Sequence, residues 1–537
     1  MRLKRTLGIL LVSCLTLTAC GNSEPAQNNN PAQDSGSQAG SSESAAENTG
    51  SAADSSSAEG TTSVDGSAAA GGVPVDWDED PAEVTWMLWN VGGTFSQEGL
   101  QAVEDAVNEI TLEKINVHVN LEMLEMGTYM SQMPMQIGAG DKIDLITTFP
   151  AGSGSFSNMV TSGQLLPLDE LLADYAPETY ELVSGNILDA TTVNGTVYAV
   201  PVYTDYTNDG YWICREAYLT EAGFTAEDIQ SVEDITEAFE AIYALHPDMK
   251  MVSSGSNSLI SQPLINGTDY DTLGTDLLAV MVDEDATKVV SLYESDAYKE
   301  SYAILRDWYE KGYIDKDIMI REDDPLSDAT VVSGFLGGNR ARTTGSEELA
   351  GEPLVSVKVS EGCVSTFSVA IMTMGIPVSA TEPEAAARLL NLCYTDKDLK
   401  MLVSYGIEGK NYTYNEQGGV VADSSSGYAP NTLGIFGNAM LCDPSAAEVE
   451  IGYNMNDIDQ SQLKYSPILG FFFNTEPVAA EAAALSNVFN EYKAQISCGM
   501  ADQKTIDEFI EKLYDNGFQT YIDEAQRQLD EWLASQN

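Results

Sequence analysis

Hydrophobic and polar positions change period several times between residues 83 and 149. Glu83–Trp89 is a short apolar run of strand length. Gln97–Ile115 sets Leu100, Val103, Val107, Ile110 and Leu112 at helical spacing, and Val117–Leu121 alternates with a period of two. Tyr129–Ile137 then reads as a methionine-rich helix closed by Gly138 and Gly140, with Met130, Met133 and Met135 expected in the core. Asp144–Phe149 reads as a buried strand. Strands separated by helices need crossover connections, so the pattern predicts parallel strands in an α/β layered fold. At the far end, Val478–Cys498, Asp502–Leu513 and Phe518–Leu533 are predicted helices, the second with an apolar stripe of Ile506, Phe509, Ile510 and Leu513.

Upstream of residue 74 no such periodicity exists. From Gly21 to about Gly72 the chain is mostly Ser, Ala, Gly, Asn, Gln and scattered acid, without an aromatic residue, Lys or Arg, so it cannot bury a core. As a flexible coil, about 52 such residues span roughly 40 Å, the reach of a tether. Before it, Met1–Arg5 holds three positive charges. Thr6–Leu17 is apolar but short for a membrane span, and Leu17-Thr18-Ala19-Cys20-Gly21 follows. This stretch resembles the lipobox of bacterial lipoproteins, which implies cleavage before Cys20, lipid on its thiol and a cell-membrane location on the extracellular face. The expected organisation is a signal peptide (1–19), a lipidated Cys20 with its tether (20–73), a body (74–395) and a C-terminal domain (396–537).

Charge narrows the partners. Lys and Arg number 25 against 83 Asp and Glu, a formal net charge of −58. That balance argues against nucleic acid and against docking flat on an anionic surface. Of the seven cysteines, Cys14 lies in the signal segment and Cys20 is the anchor. The other five, Cys214, Cys363, Cys393, Cys442 and Cys498, have no framework or zinc spacing and read as small buried hydrophobes. The only histidines are His118 on a strand and His246 beside Pro247, two unclustered residues that point to no metal site or triad. No G-x-S-x-G is present. YGIEGKNYTY (405–414) has the glycines and lysine of a phosphate loop, but it is two residues short and has Asn411 in place of the hydroxyl. The better reading is mechanical: Gly406 ends a helix over Asp398–Tyr405 with a left-handed cap, and Gly409 reverses the chain into Tyr412–Tyr414. No cofactor and no metal are expected.

Val193-Asn194-Gly195-Thr196-Val197-Tyr198-Ala199-Val200-Pro201 contains a tight Asn-Gly hairpin turn. Tyr211-Trp212-Ile213-Cys214-Arg215-Glu216-Ala217-Tyr218-Leu219 and Glu221-Ala222-Gly223-Phe224 follow it. In that order these resemble the solute-binding proteins of ABC importers, extracellular solute-binding family 1. Tyr298–Gly312, Met374-Gly375-Ile376-Pro377, Tyr394–Leu399, Asn474–Val478 and Glu524–Trp532 are similar to the LipO-like branch with its C-terminal domain of unknown role; Asn411 stands where that branch often has His. The resemblance implies a two-lobed periplasmic-binding-protein-like fold, a hinge of crossing strands and a helical C-terminal region. It implies a monomeric, non-enzymatic carrier that closes on a solute, expected to be an oligosaccharide, and presents it to permease transmembrane subunits. A secreted glycoside hydrolase or an adhesin is the alternative.

Clefts in open α/β sheets lie beyond the carboxyl ends of strands, which nominates Trp89, Asn90 and Phe149. At the expected crossover, Tyr203, Asp205, Tyr206 and Trp212 combine flat faces with polar edges suited to a sugar.

Overall fold

The computed structural model describes residues 72–150, 152–253, 270–282, 286–315, 318, 325–343 and 350–536. The stretch expected to hold the signal segment, Cys20 and most of the tether, residues 1–71, lies outside the described residues. The first lobe begins with β1 (Ala82–Asn90), α1 (Gln97–Ile115), β2 (Val117–Glu125), α2 (Met126–Ala139), β3 (Leu145–Thr147) and β4 (Val200–Pro201). The chain then builds a second sheet from β5 (Asp209–Arg215), β6 (Lys250–Val252), β7 (Val331–Gly338) and β8 (Leu354–Ser360), with α3 (Val232–Leu245) and α4 (Asp296–Lys311) between its strands. It returns through β9 (Thr373–Gly375), α5 (Pro383–Thr395) and α6 (Lys397–Tyr405), and ends in α7 (Ala479–Ser497), α8 (Gln503–Asp515) and α9 (Phe518–Ser535).

The first sheet has the order β2-β1-β3-β9-β4, and β1 is parallel to both β2 and β3, as helical crossovers require. Pairing elsewhere is mixed. β9 runs antiparallel to β3 and β4, and in the second sheet (β8-β5-β7-β6) β5 is antiparallel to β7 and β8. The purely parallel expectation is corrected because a chain that leaves one lobe and comes back re-enters the first sheet running the other way.

Local signals explain the helices. Ser96 caps α1 by accepting from the Gly99 N–H, and Asn116 closes it in the left-handed conformation at φ 54°. In α2 the buried stripe is Tyr129, Met133 and Ile137, spaced by four. Met135 is 70% exposed and Met130 41%, which corrects the expected methionine core: position 135 lies about 200° around the helix from 133. Asn194 (φ 52°) and Gly195 (φ 78°) form the expected hairpin turn between paired Thr192–Val193 and Thr196–Val197.

The two sheets have separate cores. One gathers Trp86, Val107, Ile146, Leu390 and Phe436; another gathers Trp212, Phe239, Ile242, Trp308 and Phe335. A third core joins α7, α8 and α9 to a small antiparallel sheet (Tyr270–Asp271, Leu278–Met281, Val289–Ser291) and to Tyr298 and Tyr302 of α4, whose Leu305 and Trp308 belong to the second lobe's core. The boundary expected at 395/396 falls inside the first lobe, because Leu399, Leu402, Val403, Tyr428 and Phe436 are part of its core. The five cysteines Cys214, Cys363, Cys393, Cys442 and Cys498 are buried free thiols.

Gly406 terminates α6 at φ 85°, ψ −153°. This is a mirror-image extended conformation, open to glycine, and not the left-handed cap read from the sequence. Asn411 completes the turn: its Oδ1 accepts from the Ile407 N–H at 2.9 Å and would meet a Cβ on residue 406 at 2.6 Å. Nearby, Lys400 of α6 is fully buried. It donates to the carbonyls of Leu433 (2.7 Å) and Phe436 (2.5 Å) and lies 3.6 Å from the Phe436 ring centroid. Burial pulls its pKa down to about 8. Between that value and the ordinary lysine range the unfolded chain binds more protons than the folded one, so this group adds stability as pH rises. Relative to Lys400→Met, the wild type should gain roughly 2 kcal/mol of unfolding free energy from about pH 7 to about pH 10, read by denaturant titration. Taking the difference removes the opposing contribution of the thiols of Cys393 and Cys442, which burial pushes up.

Candidate binding cleft at the crossing segments

Three stretches pass between the lobes: 202–208 outward, 361–366 back, and 463–471 outward again to the C-terminal helices. They are knitted together by backbone. The Val364 N–H donates to Lys464 O and the Ser466 N–H to Val364 O, both at 2.8 Å. Tyr203 pairs with the loop that Lys400 pins: its N–H donates to Gly437 O (2.9 Å), and its carbonyl accepts from the Ala439 N–H (2.8 Å). The Gly362 N–H donates to Asp209 Oδ1 at 3.0 Å, and Asp209 Oδ2 lies 3.6 Å from Lys358 Nζ. Burial raises the Asp209 carboxyl above its ordinary range, and the phenol of Tyr211 is pushed up to about 12 by burial and by the nearby Asp209 charge.

The residues nominated from the sequence have unlike surroundings. Asp205 is buried on the first crossing, where Oδ2 accepts from the Tyr453 hydroxyl at 2.7 Å and Oδ1 from the Thr207 N–H at 2.8 Å. Tyr206 is buried and donates to Val202 O at 2.8 Å. Tyr203 is half-buried with its ring edge-on to Tyr206, centroids 6.5 Å apart. Trp89 and Phe149 meet at the carboxyl ends of β1 and β3 with centroids 5.0 Å apart, both buried. Asn90 is fully buried: Nδ2 donates to Gly93 O (2.7 Å) and Oδ1 accepts from the Asn431 N–H (2.9 Å), fixing the loop after β1. Trp212 has no exposed surface and packs on Phe239 inside the second lobe. Alternation along β5 turns it toward the core, so its sugar-stacking assignment is replaced by a packing one in this structure.

The third crossing carries no residue nominated from the sequence. Tyr465 and Phe472 are half-buried against the first lobe's core, as Tyr203 is, and Phe472 lies 5.4 Å from Phe156. Partly buried rings of this kind, with the polar groups of Asp205, Tyr453 and Gln460 on the same crossings, are side chains suited to stacking and hydroxyl recognition. The cue was the aromatic run Phe471-Phe472-Phe473 after Gly470, too short for a helix. A cavity of about 410 Å3 lined by Glu216, Thr220, Glu221, Glu352 and Pro353 lies at the distal end of β5, away from the crossings. Among the described residues no cluster of His, Cys, Asp and Glu could hold a metal ion, and no helix is long and apolar enough to cross a membrane. His118 pairs with Glu83 at 2.9 Å and His246 with Glu221 at 3.0 Å.

Residues 92–400 match the model of the bacterial extracellular solute-binding protein family. The chain belongs to that family. Its fold is accordingly that of a solute carrier, not of an enzyme, and residues 467–534 match a domain of unknown function, DUF3502, which comprises α7, α8 and α9. This solute-binding protein is 24% identical over 448 residues to a carbohydrate ABC transporter substrate-binding protein of Streptococcus pneumoniae, covering 80% of this chain and 87% of that one. The crystal structure of the N-glycan transport solute binding protein from Streptococcus pneumoniae superposes with a TM-score of 0.72 at 22% identity, covering 85% of this chain and all of that one. An HMO binding ABC-transporter associated solute binding protein from Bifidobacterium longum infantis gives 0.60 at 14% identity, covering 84% and 99%.

Proposed function

We propose that this protein captures an extracellular oligosaccharide between its lobes and presents it to the transmembrane subunits of an ABC importer, held at the cell surface by lipid on Cys20. The observation that carries this reading is the set of half-buried rings, Tyr203 and Tyr465 on the crossings and Phe472 just beyond the third, together with the buried Asp205–Tyr453 pair. A sugar places its C–H face on such rings and its hydroxyls on the carboxylate, phenol and amide edges. Relatives named for carbohydrate transport, and a similar structure solved with Man5GlcNAc, support the choice of ligand.

Closure follows from two-sided contact. A glycan on the crossings reaches groups of both lobes only when they approach, and about 5 kcal/mol of differential affinity moves the population from mostly open to mostly closed. No covalent step is needed. The start of the described chain is strapped to the first lobe: the Val73 N–H donates to Asp174 O (2.7 Å), and Arg388 donates to Val73 O (2.9 Å) and Pro74 O (3.0 Å). A tethered protein would thus be moored by its first lobe, leaving the second to swing.

Calorimetric titration of the wild type with neutral oligosaccharides built from mannose and N-acetylglucosamine should give saturable binding of at least one and no product. Tyr203→Ala should weaken it about tenfold with the fold intact, since that ring is only half-buried. Flat titrations across such a library, or turnover of any glycan, would contradict the proposal.

A further inference from the structure

Residues 401–466 fall between the two matched stretches, and the last part of that interval runs through the hinge. Tyr453 donates its hydroxyl to Asp205, and Gln460 Nε2 donates to Thr204 O at 2.8 Å, so both bind the outward crossing. Lys464 and Ser466 pair with Val364 of the returning one. Between these anchors Asn456, Asp457, Asp459, Ser461 and Gln462 are exposed while Met455 is buried, and the turns are fixed by Asn454 and Asp459, which accept from the N–H groups of Asn456 and Ser461. One segment therefore touches two crossings and registers any change in their relative position.

Two side chains on it are not used up by the fold. Tyr465 packs one side against the first lobe's core and leaves part of its ring uncovered, beside the phenols of Tyr203 and Tyr206. Gln460 is held through its nitrogen alone: its Oε1 is out of solvent and has no hydrogen-bond partner. A buried acceptor without a donor is a cost that the fold bears until a donor arrives, and a sugar hydroxyl is such a donor.

We propose that Tyr453–Ser466 is the specificity strap of the cleft. In it Tyr465 stacks on one sugar unit, Gln460 accepts from a hydroxyl of a neighbouring unit, and Tyr453 fastens the strap to the crossing through Asp205. This rests on the oligosaccharide reading above and adds which residues choose among glycans.

The test is calorimetric titration of the mature protein and its variants with a panel of neutral oligosaccharides differing in linkage and in N-acetylation. Tyr465→Ala is expected to lose about tenfold in affinity, Tyr465→Phe to stay within about threefold of wild type, and Gln460→Ala to reorder preferences within the panel. A purely structural role would lower the melting temperature without reordering preferences, so the panel order separates the two. Tyr465→Trp adds a reporter, and its emission should change as glycan is titrated. Wild-type affinity and order in both Tyr465→Ala and Gln460→Ala would overturn the strap while leaving the carrier reading standing. A wild type that binds no member of the panel would overturn the carrier reading, and the strap with it.

Discussion

Arg215→Ala is expected to lower the unfolding free energy by about 4 kcal/mol, the cost of opening a buried, multiply bonded cation site. The guanidinium is 1% exposed at the end of β5. Nε donates to Val331 O (2.7 Å), Nη2 to Leu326 O (2.7 Å) and Asp328 O (3.1 Å), and Nη1 to Ala350 O (3.4 Å) and the Glu352 carboxylate. One side chain thus laces the start of β7, the turn before it and the approach to β8. Its removal takes one donor from each of these carbonyls at once, although the Asp328 carbonyl keeps the Val331 N–H. Arg215→Lys should rescue little, because a single ammonium cannot reproduce the planar fork. Denaturant midpoints for the three proteins decide it, and a loss below about 1 kcal/mol in Arg215→Ala would show that the second lobe is held by its apolar core alone.

Gly362→Ala is the second large effect, and it bears on movement as well as stability. A Cβ at this position would sit 1.8 Å from Asn208 O and 3.0 Å from Asn208 Cα, so the outgoing and returning crossings touch backbone to backbone. Neither atom can rotate away. The alanine must push the crossings apart, which should cost about 3 kcal/mol and disturb the Gly362 N–H to Asp209 bond that ties them. Glycan affinity should shift with it, since the relative position of the crossings sets how the lobes meet. Melting curves and titration of the same preparation check both halves, and an alanine variant of unchanged stability would contradict such close packing.

Much of the frame was legible in the sequence because its signals are local. The alternation in Val117–Leu121, the helical spacing of Leu100, Val103 and Val107, and the Asn194-Gly195 turn each specify a short element through backbone preferences and one buried face. Family resemblance supplied the two lobes. What escaped depends on neighbours distant in the chain. Whether Met130 or Met133 is buried is decided by which face of α2 meets the sheet. Trp212 looked like a ligand-facing ring until the register of β5 turned it inward. The surroundings of Tyr465 and Gln460 carried no local signal, since they arise only where segments 248 and 256 residues apart in sequence are brought together, as Tyr453 is with Asp205 and Gln460 with Thr204. Lys400 reads as a surface lysine in an amphipathic helix, and only tertiary packing reveals the two carbonyls that hold it inside.

Closure on a glycan can be read directly by small-angle X-ray scattering of the protein with and without a saturating oligosaccharide. The radius of gyration should fall on saturation, with the same glycan recovered intact afterwards. A scattering profile unchanged under conditions where calorimetry shows full occupancy would contradict it.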